Sequence, residues 1–74
     1  MAAKAFGSVV RAARLEKGTA QDEFALLANV DRSYFGKLER GERQPSLALI
    51  LRISAGLGVS AADLIARVET TLRA

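Results

Sequence analysis

Neither cysteine nor histidine occurs among the 74 residues. Their absence removes disulfides, thiolate zinc sites and imidazole catalysis together. So short a chain also leaves little room for a pocket, so the sequence reads as a non-enzyme with no metal and no cofactor. Aromatic residues are few: Phe6, Phe24, Tyr34 and Phe35. The phenylalanines are needed in a core, which leaves no stacking platform for single-stranded nucleic acid. Strand-like alternation, long linkers, repeats and low-complexity stretches are missing as well. No segment approaches the roughly 20 apolar residues of a membrane span. The first six residues, Met1 to Phe6, are not followed by an apolar run of signal-peptide type. The expected location is therefore cytoplasmic, with no membrane partner.

What is present points to one folded domain over residues 1–74, half hydrophobic and about a quarter charged. A chain of this length buries only about 60% of its unfolded surface. Stability must come from efficient packing, and oligomerisation would add to it. The net charge of +3 and pI near 10.0 hint at a polyanionic partner.

Apolar spacing divides the chain into five helices, an all-α fold. Phe6, Val9, Val10 and Ala13 mark a helix over about 3–17, ended by Gly18. A short helix over about 21–28 presents Phe24, Leu27 and Ala28 inward, with Ala25 leaving room for a neighbour. Ala20 is a poor cap for it, and Thr19 offers one a residue earlier. Asn29 stops it, since asparagine tolerates a left-handed backbone. Asp31 is a strong N-cap for a third helix running to about Arg40. Phe35 and Leu38 point inward there, with Arg32, Ser33, Gly36, Lys37 and Arg40 on the opposite face. Ser46 caps a fourth helix over 47–57, which Gly58 closes. Ser60 and Asp63 make a capping-box-like start for a fifth, about 61–72.

The segment from Gln21 to Gly41 carries the function. Its two helices are too short to stand alone and must cross each other over a tight turn at Asn29, Val30 and Asp31. The polar face of the second then projects, and a helix of that width fits the major groove of B-DNA. The motifs R-x-x-R-L-E-K-G (Arg11 to Gly18), Q-D-E-F-A (Gln21 to Ala25), N-V-D-R-S-Y-F (Asn29 to Phe35), K-L-E-R-G (Lys37 to Gly41), P-S-L (Pro45 to Leu47) and G-V-S-A-A-D-L-I (Gly58 to Ile65) follow in order. Together they resemble the lambda-repressor-like, or Xre-type, helix-turn-helix regulators over about residues 6–65. The short length also resembles the controller proteins of restriction–modification systems within that family.

The resemblance implies a five-helix DNA-binding domain whose helix-turn-helix spans about 21–40. It implies that Arg32, Ser33 and Lys37 face base edges. Their chemistry agrees, since arginine and lysine donate to guanine O6 and N7 and a hydroxyl donates or accepts. A serine near a helix start can also serve the backbone. Gln21 and Tyr34 would touch phosphates, although Tyr34 also suits a half-buried packing ring. Arg40, Arg43 and Gln44 would grip the flanking backbone. The resemblance further implies a partly buried ion pair between Arg14 and Glu39. The chain departs from the family at Ala20, where a serine or threonine cap is usual, and at Gly36, where a larger polar residue is usual. Either DNA approaches the backbone closely at Gly36, or that position reads nothing.

The last helix carries an apolar stripe of Leu64, Ile65, Val68 and Leu72. Its first half can cover the core, and Ile65, Val68 and Leu72 are expected to meet a second copy. Leu49 and Leu57 face either that surface or the core. The expected function is a homodimeric transcription regulator on double-stranded DNA with a roughly palindromic operator. No ligand-sensing domain fits in the length, so no small-molecule effector is expected. The controller resemblance implies action on the protein's own promoter and on a linked endonuclease gene. The alternative is a protein-interaction module of the same fold, such as an antitoxin or an adaptor.

Overall fold

Local chemistry at the joints decides where the helices begin and end. The structure, a computed structural model, describes all of residues 1–74. It contains α1 (Ala2–Lys17), α2 (Gln21–Leu27), α3 (Arg32–Glu39), α4 (Leu47–Leu57) and α5 (Ala61–Arg73), with no strand. Gly18, Gly41 and Gly58 follow α1, α3 and α4 at φ near 76–77°, and Asn29 follows α2 at φ 59°. These left-handed residues turn the chain and let backbone N–H groups satisfy the last helical carbonyls. Three side chains cap the starts. Asp31 Oδ2 accepts from the Tyr34 N–H at 3.0 Å. Ser46 Oγ accepts from the Leu49 N–H at 3.1 Å, and Ser60 Oγ from the Asp63 N–H at 3.0 Å. Ala20, ahead of α2, supplies no cap. Nor does the Thr19 side chain; instead its carbonyl accepts from Arg14 Nη1 at 2.8 Å, which holds the loop from α1.

The core sits where α1 crosses α3 and α5, with α2 packed on α3 and α4 on α5. Its most deeply buried side chains are Val10, Phe24, Phe35, Leu38, Ile53 and Leu64. The rings of Phe24 and Phe35 tilt at 37° with centroids 5.2 Å apart, joining α2 to α3. Two glycines make close crossings. A Cβ on Gly7 would lie on the carbonyl oxygens of Leu38 and Glu39, so α1 meets the end of α3 backbone to backbone. A Cβ on Gly56 would lie 3.0 Å from Phe24 Cζ, so α4 lies directly on that ring. No single helix is long and apolar enough to cross a membrane.

Several expected facings are corrected. Leu27 is 60% exposed. The inward direction of α2 falls among Phe24, Ala25 and Ala28, and at about 100° per residue Leu27 is swung to the side. Val68 is only 7% exposed and belongs to the monomer core, so it is not a free dimer contact. The α5 helix packs against both α1 and α4, and Val68 joins Leu64 in the core cluster. Of the two facings left open for Leu49 and Leu57, the core is the one taken: Leu49 is buried in it and Leu57 packs partly buried against it. On α3, Gly36 is buried rather than open to solvent, and Lys37 is only half-exposed.

The α1–α3 crossing gives a sharp expectation. Gly7→Ala gains about 1 kcal/mol of helix propensity but drives a methyl into backbone that cannot move cheaply. We expect a net loss of about 1–3 kcal/mol. Each kcal/mol lowers Tm by about 4–8 °C in a domain of this size, measurable by circular dichroism on heating.

Candidate nucleic-acid interface

The turn after α2 brings the recognition segment into place. Val30 is buried, and its N–H donates to the Ala25 carbonyl at 2.9 Å. Asp31 then starts α3 on the far side of the turn. Phe35 and Leu38 anchor the inner face, which leaves the outer face of α3 beside the first turn of α2. Between them runs an open polar groove lined by Gln21, Asp22, Arg32, Ser33, Gly36 and Arg40.

Beneath this surface lies a buried carboxylate. Glu39 Oε2 accepts from Arg14 Nε at 2.7 Å, and Oε1 accepts from Arg14 Nη2 at 3.1 Å. Gln21 Nε2 donates to the same Oε1 at 2.8 Å. The pair is bidentate, with both side chains shielded from water. The hydrogen bonds that Arg14 donates to Glu39 raise its guanidinium above its ordinary pKa; burial opposes the shift and the Glu39 charge adds to it. Every buried side-chain nitrogen and oxygen in the protein has a partner. One residue of α3 is thereby tied to α1 and to the first residue of α2.

The remaining residues expected at the site fall as follows. Arg32 and Ser33 are exposed and line the groove. Arg32 Nη1 makes a long contact of 3.4 Å with Asp22 Oδ2 across the groove, both side chains open to water. Lys37 lies outside the groove. Tyr34 is half-buried and packs against the core. Gln21 commits one amide hydrogen to Glu39. Arg40 Nε donates to Glu42 Oε2 at 2.8 Å, and Arg43 Nη1 donates to the Glu42 carbonyl at 2.9 Å. The Arg40 hydrogen bond holds the Glu42 carboxyl below its ordinary pKa and, reciprocally, raises the guanidinium. Gln44 is exposed beside them.

Sequence reasoning missed three partners. Gln21, expected to touch phosphate, also binds Glu39, while Asp22 and Glu42 were assigned no partner. The spacing of Asp22 from Arg32 carries no pairing signal, because the turn that joins them is tertiary. Glu42, two residues from Arg40, carried a local signal of opposite charge.

Comparison with known proteins agrees with this geometry. Residues 10–64 match the family described as helix-turn-helix. The control protein C.MunI of Mycoplasma sp is 37% identical over 65 residues, covering 86% of this chain and 88% of its own. Among solved structures, the clp gene regulator ClgR of Corynebacterium glutamicum superposes with a TM-score of 0.93 at 29% identity, covering 99% of this chain and 78% of its own. The tetramer of the restriction–modification controller protein C.Esp1396I with its natural 35-base-pair operator gives a TM-score of 0.91 at 27% identity, covering 100% of this chain and 97% of its own. The chain belongs to the helix-turn-helix family of DNA-binding transcription regulators, in its lambda-repressor-like, Xre-type branch.

Glu39→Ala removes the acceptor and leaves the Arg14 charge buried and unpaired. Breaking a buried pair in this way costs about 3–5 kcal/mol. We expect a domain unfolded or barely folded at 37 °C, read by thermal denaturation; an unchanged melting curve would contradict the brace.

Proposed function

We propose that the protein is a homodimeric transcription regulator that places α3 of each subunit in successive major grooves of a roughly palindromic operator. The observation that supports it most is the groove beside α3, where Arg32 and Ser33 stand exposed above a fixed Glu39 brace. In this reading Arg32, Ser33 and Lys37 face base edges, while Gln21, Tyr34, Arg43 and Gln44 touch the sugar–phosphate backbone. A two-fold dimer sets the half-sites about 10 bp apart or a multiple of that. Occupancy would rise steeply with protein concentration through dimerisation, in the cytoplasm, on DNA shared with the regulated genes. The likeness to C.MunI and C.Esp1396I supports a controller of a restriction–modification system. The likeness to ClgR supports a regulator of other gene sets on the same scaffold.

For the dimer contact, α5 offers Ile65 at 37% and Leu72 at 43% exposure. On α4, Leu47 and Leu51 form a second exposed apolar ridge one turn apart. Solvent-exposed leucine on two adjacent helices is what a self-association surface presents.

Selection of bound duplexes from a random pool tests the reading directly. A palindromic motif should be enriched, affinity should fall linearly with the logarithm of salt, and Arg32→Ala should relax the choice at one base pair per half-site by about 1–3 kcal/mol. A pool without an enriched motif, or binding indifferent to salt, would instead favour a protein-interaction module.

Ile65→Glu should separate the subunits in sedimentation equilibrium while keeping the helical circular-dichroism spectrum. A variant that stays dimeric would remove Ile65 from the contact.

A further inference from the structure

We propose that Arg40 is a base-reading residue, and that Gly36 is the vacancy through which it reaches the groove. This rests on the operator-binding reading above and assigns a specificity-determining residue within it. Its place after α3 would suggest a grip on the flanking backbone.

Gly36 lies on α3 and Arg40 caps its C-terminus with a still-helical backbone, so the two are four residues apart on one face between Arg32 and Lys37. A helical side chain leans toward the N-terminus of its helix, onto the residue one turn earlier. The Arg40 guanidinium accordingly lies back over Gly36. A Cβ at position 36 would stand 3.2 Å from Arg40 Nη1 and 3.5 Å from Gln21 Oε1. Even a methyl there would press the guanidinium tip back by a few tenths of an ångström, and a longer side chain would displace it from the groove also lined by Asp22, Arg32 and Ser33.

Nothing else about position 36 asks for glycine. Its φ is not positive; the glycines with positive φ are Gly18, Gly41 and Gly58. No backbone of another helix crosses it, in contrast to Gly7. Glycine inside a helix weakens that helix, and its near neighbours are these two side chains.

Glu42 completes the arrangement. Its carboxylate takes the Arg40 Nε proton at 2.8 Å, which leaves both terminal nitrogens of the fork free. Two parallel N–H donors are what guanine O6 and N7 accept in the major groove. Arg40 and Arg32 would then read from the same groove, and Gly36 would contribute by staying small.

The test compares wild type, Arg40→Ala, Arg40→Lys and Gly36→Ala by duplex selection from a random pool, with affinity measured across salt. Arg40→Ala should lose preference at one base pair of each half-site, roughly 5- to 100-fold, with an unchanged salt slope. Arg40→Lys should not restore it, because lysine lacks the fork. Gly36→Ala should melt no lower than wild type and show a weakened preference at that same base pair. Arg40→Ala weakening all sequences equally, with the salt slope shallower by about one, would make Arg40 a phosphate contact and overturn the proposal. Gly36→Ala keeping the wild-type motif would overturn it too. If wild type itself enriches no motif, the operator-binding reading fails first and takes this proposal with it.

Discussion

The carboxylate of Glu39 holds the recognition segment together. It sits at the end of α3, inside the protein, with Arg14 of α1 on both oxygens and Gln21 of α2 on one. An acidic group on the outer face of α3 would meet phosphate and be repelled. Turned inward, it can be buried only if its hydrogen-bonding capacity is met, and three donors meet it. A buried ion pair adds little net stability over an apolar packing of the same shape. What it adds is a fixed relation among three short elements. The same arginine also holds the Thr19 carbonyl, so the missing cap at Ala20 is offset by a tether from α1.

The outer face inherits its geometry from that brace and from the aromatic contact beside it. Helices of seven and eight residues do not persist alone in water. Phe24 on Phe35, the carbonyls of α3 against Gly7, and the carboxylate beneath them place α2 and α3 as one unit. The surface charges are arranged differently. Asp22 and Glu42 stand beside Arg32 and Arg40 at the exposed surface, where such pairs contribute little to stability. They hold long cationic side chains near the groove without locking them.

The parts of this fold that sequence makes legible are those decided within a few residues. Gly18, Asn29, Gly41 and Gly58 stop helices because of their own backbone freedom, and Asp31, Ser46 and Ser60 start them with their own oxygens. The helix-turn-helix at 21–40 follows from those marks. The Arg14–Glu39 pairing came from likeness to a family, since no local rule joins residues 25 positions apart. The facing of Leu27, Leu49 and Val68 was not legible. Periodicity shows that a helix has an apolar stripe, but not how far along it a neighbour reaches. Val68 looked spare because it lies beyond the family's minimal domain, and it is buried because the core extends along α5 past Leu64. Gly7 gave no signal at all, because its role is visible only when the α3 carbonyls arrive against it. Gly36 was visible as an oddity, and its meaning depends on where Arg40 lies.

The division of α3 into two faces also bears on how such proteins diversify. Phe35, Leu38 and Glu39 carry the fold, while Arg32, Ser33 and Arg40 contact nothing in the core. Changes on the outer face therefore leave the scaffold standing. Duplicated copies of such a gene can drift to different operators while remaining the same molecule inside, and crosstalk between them is avoided by a few exposed side chains.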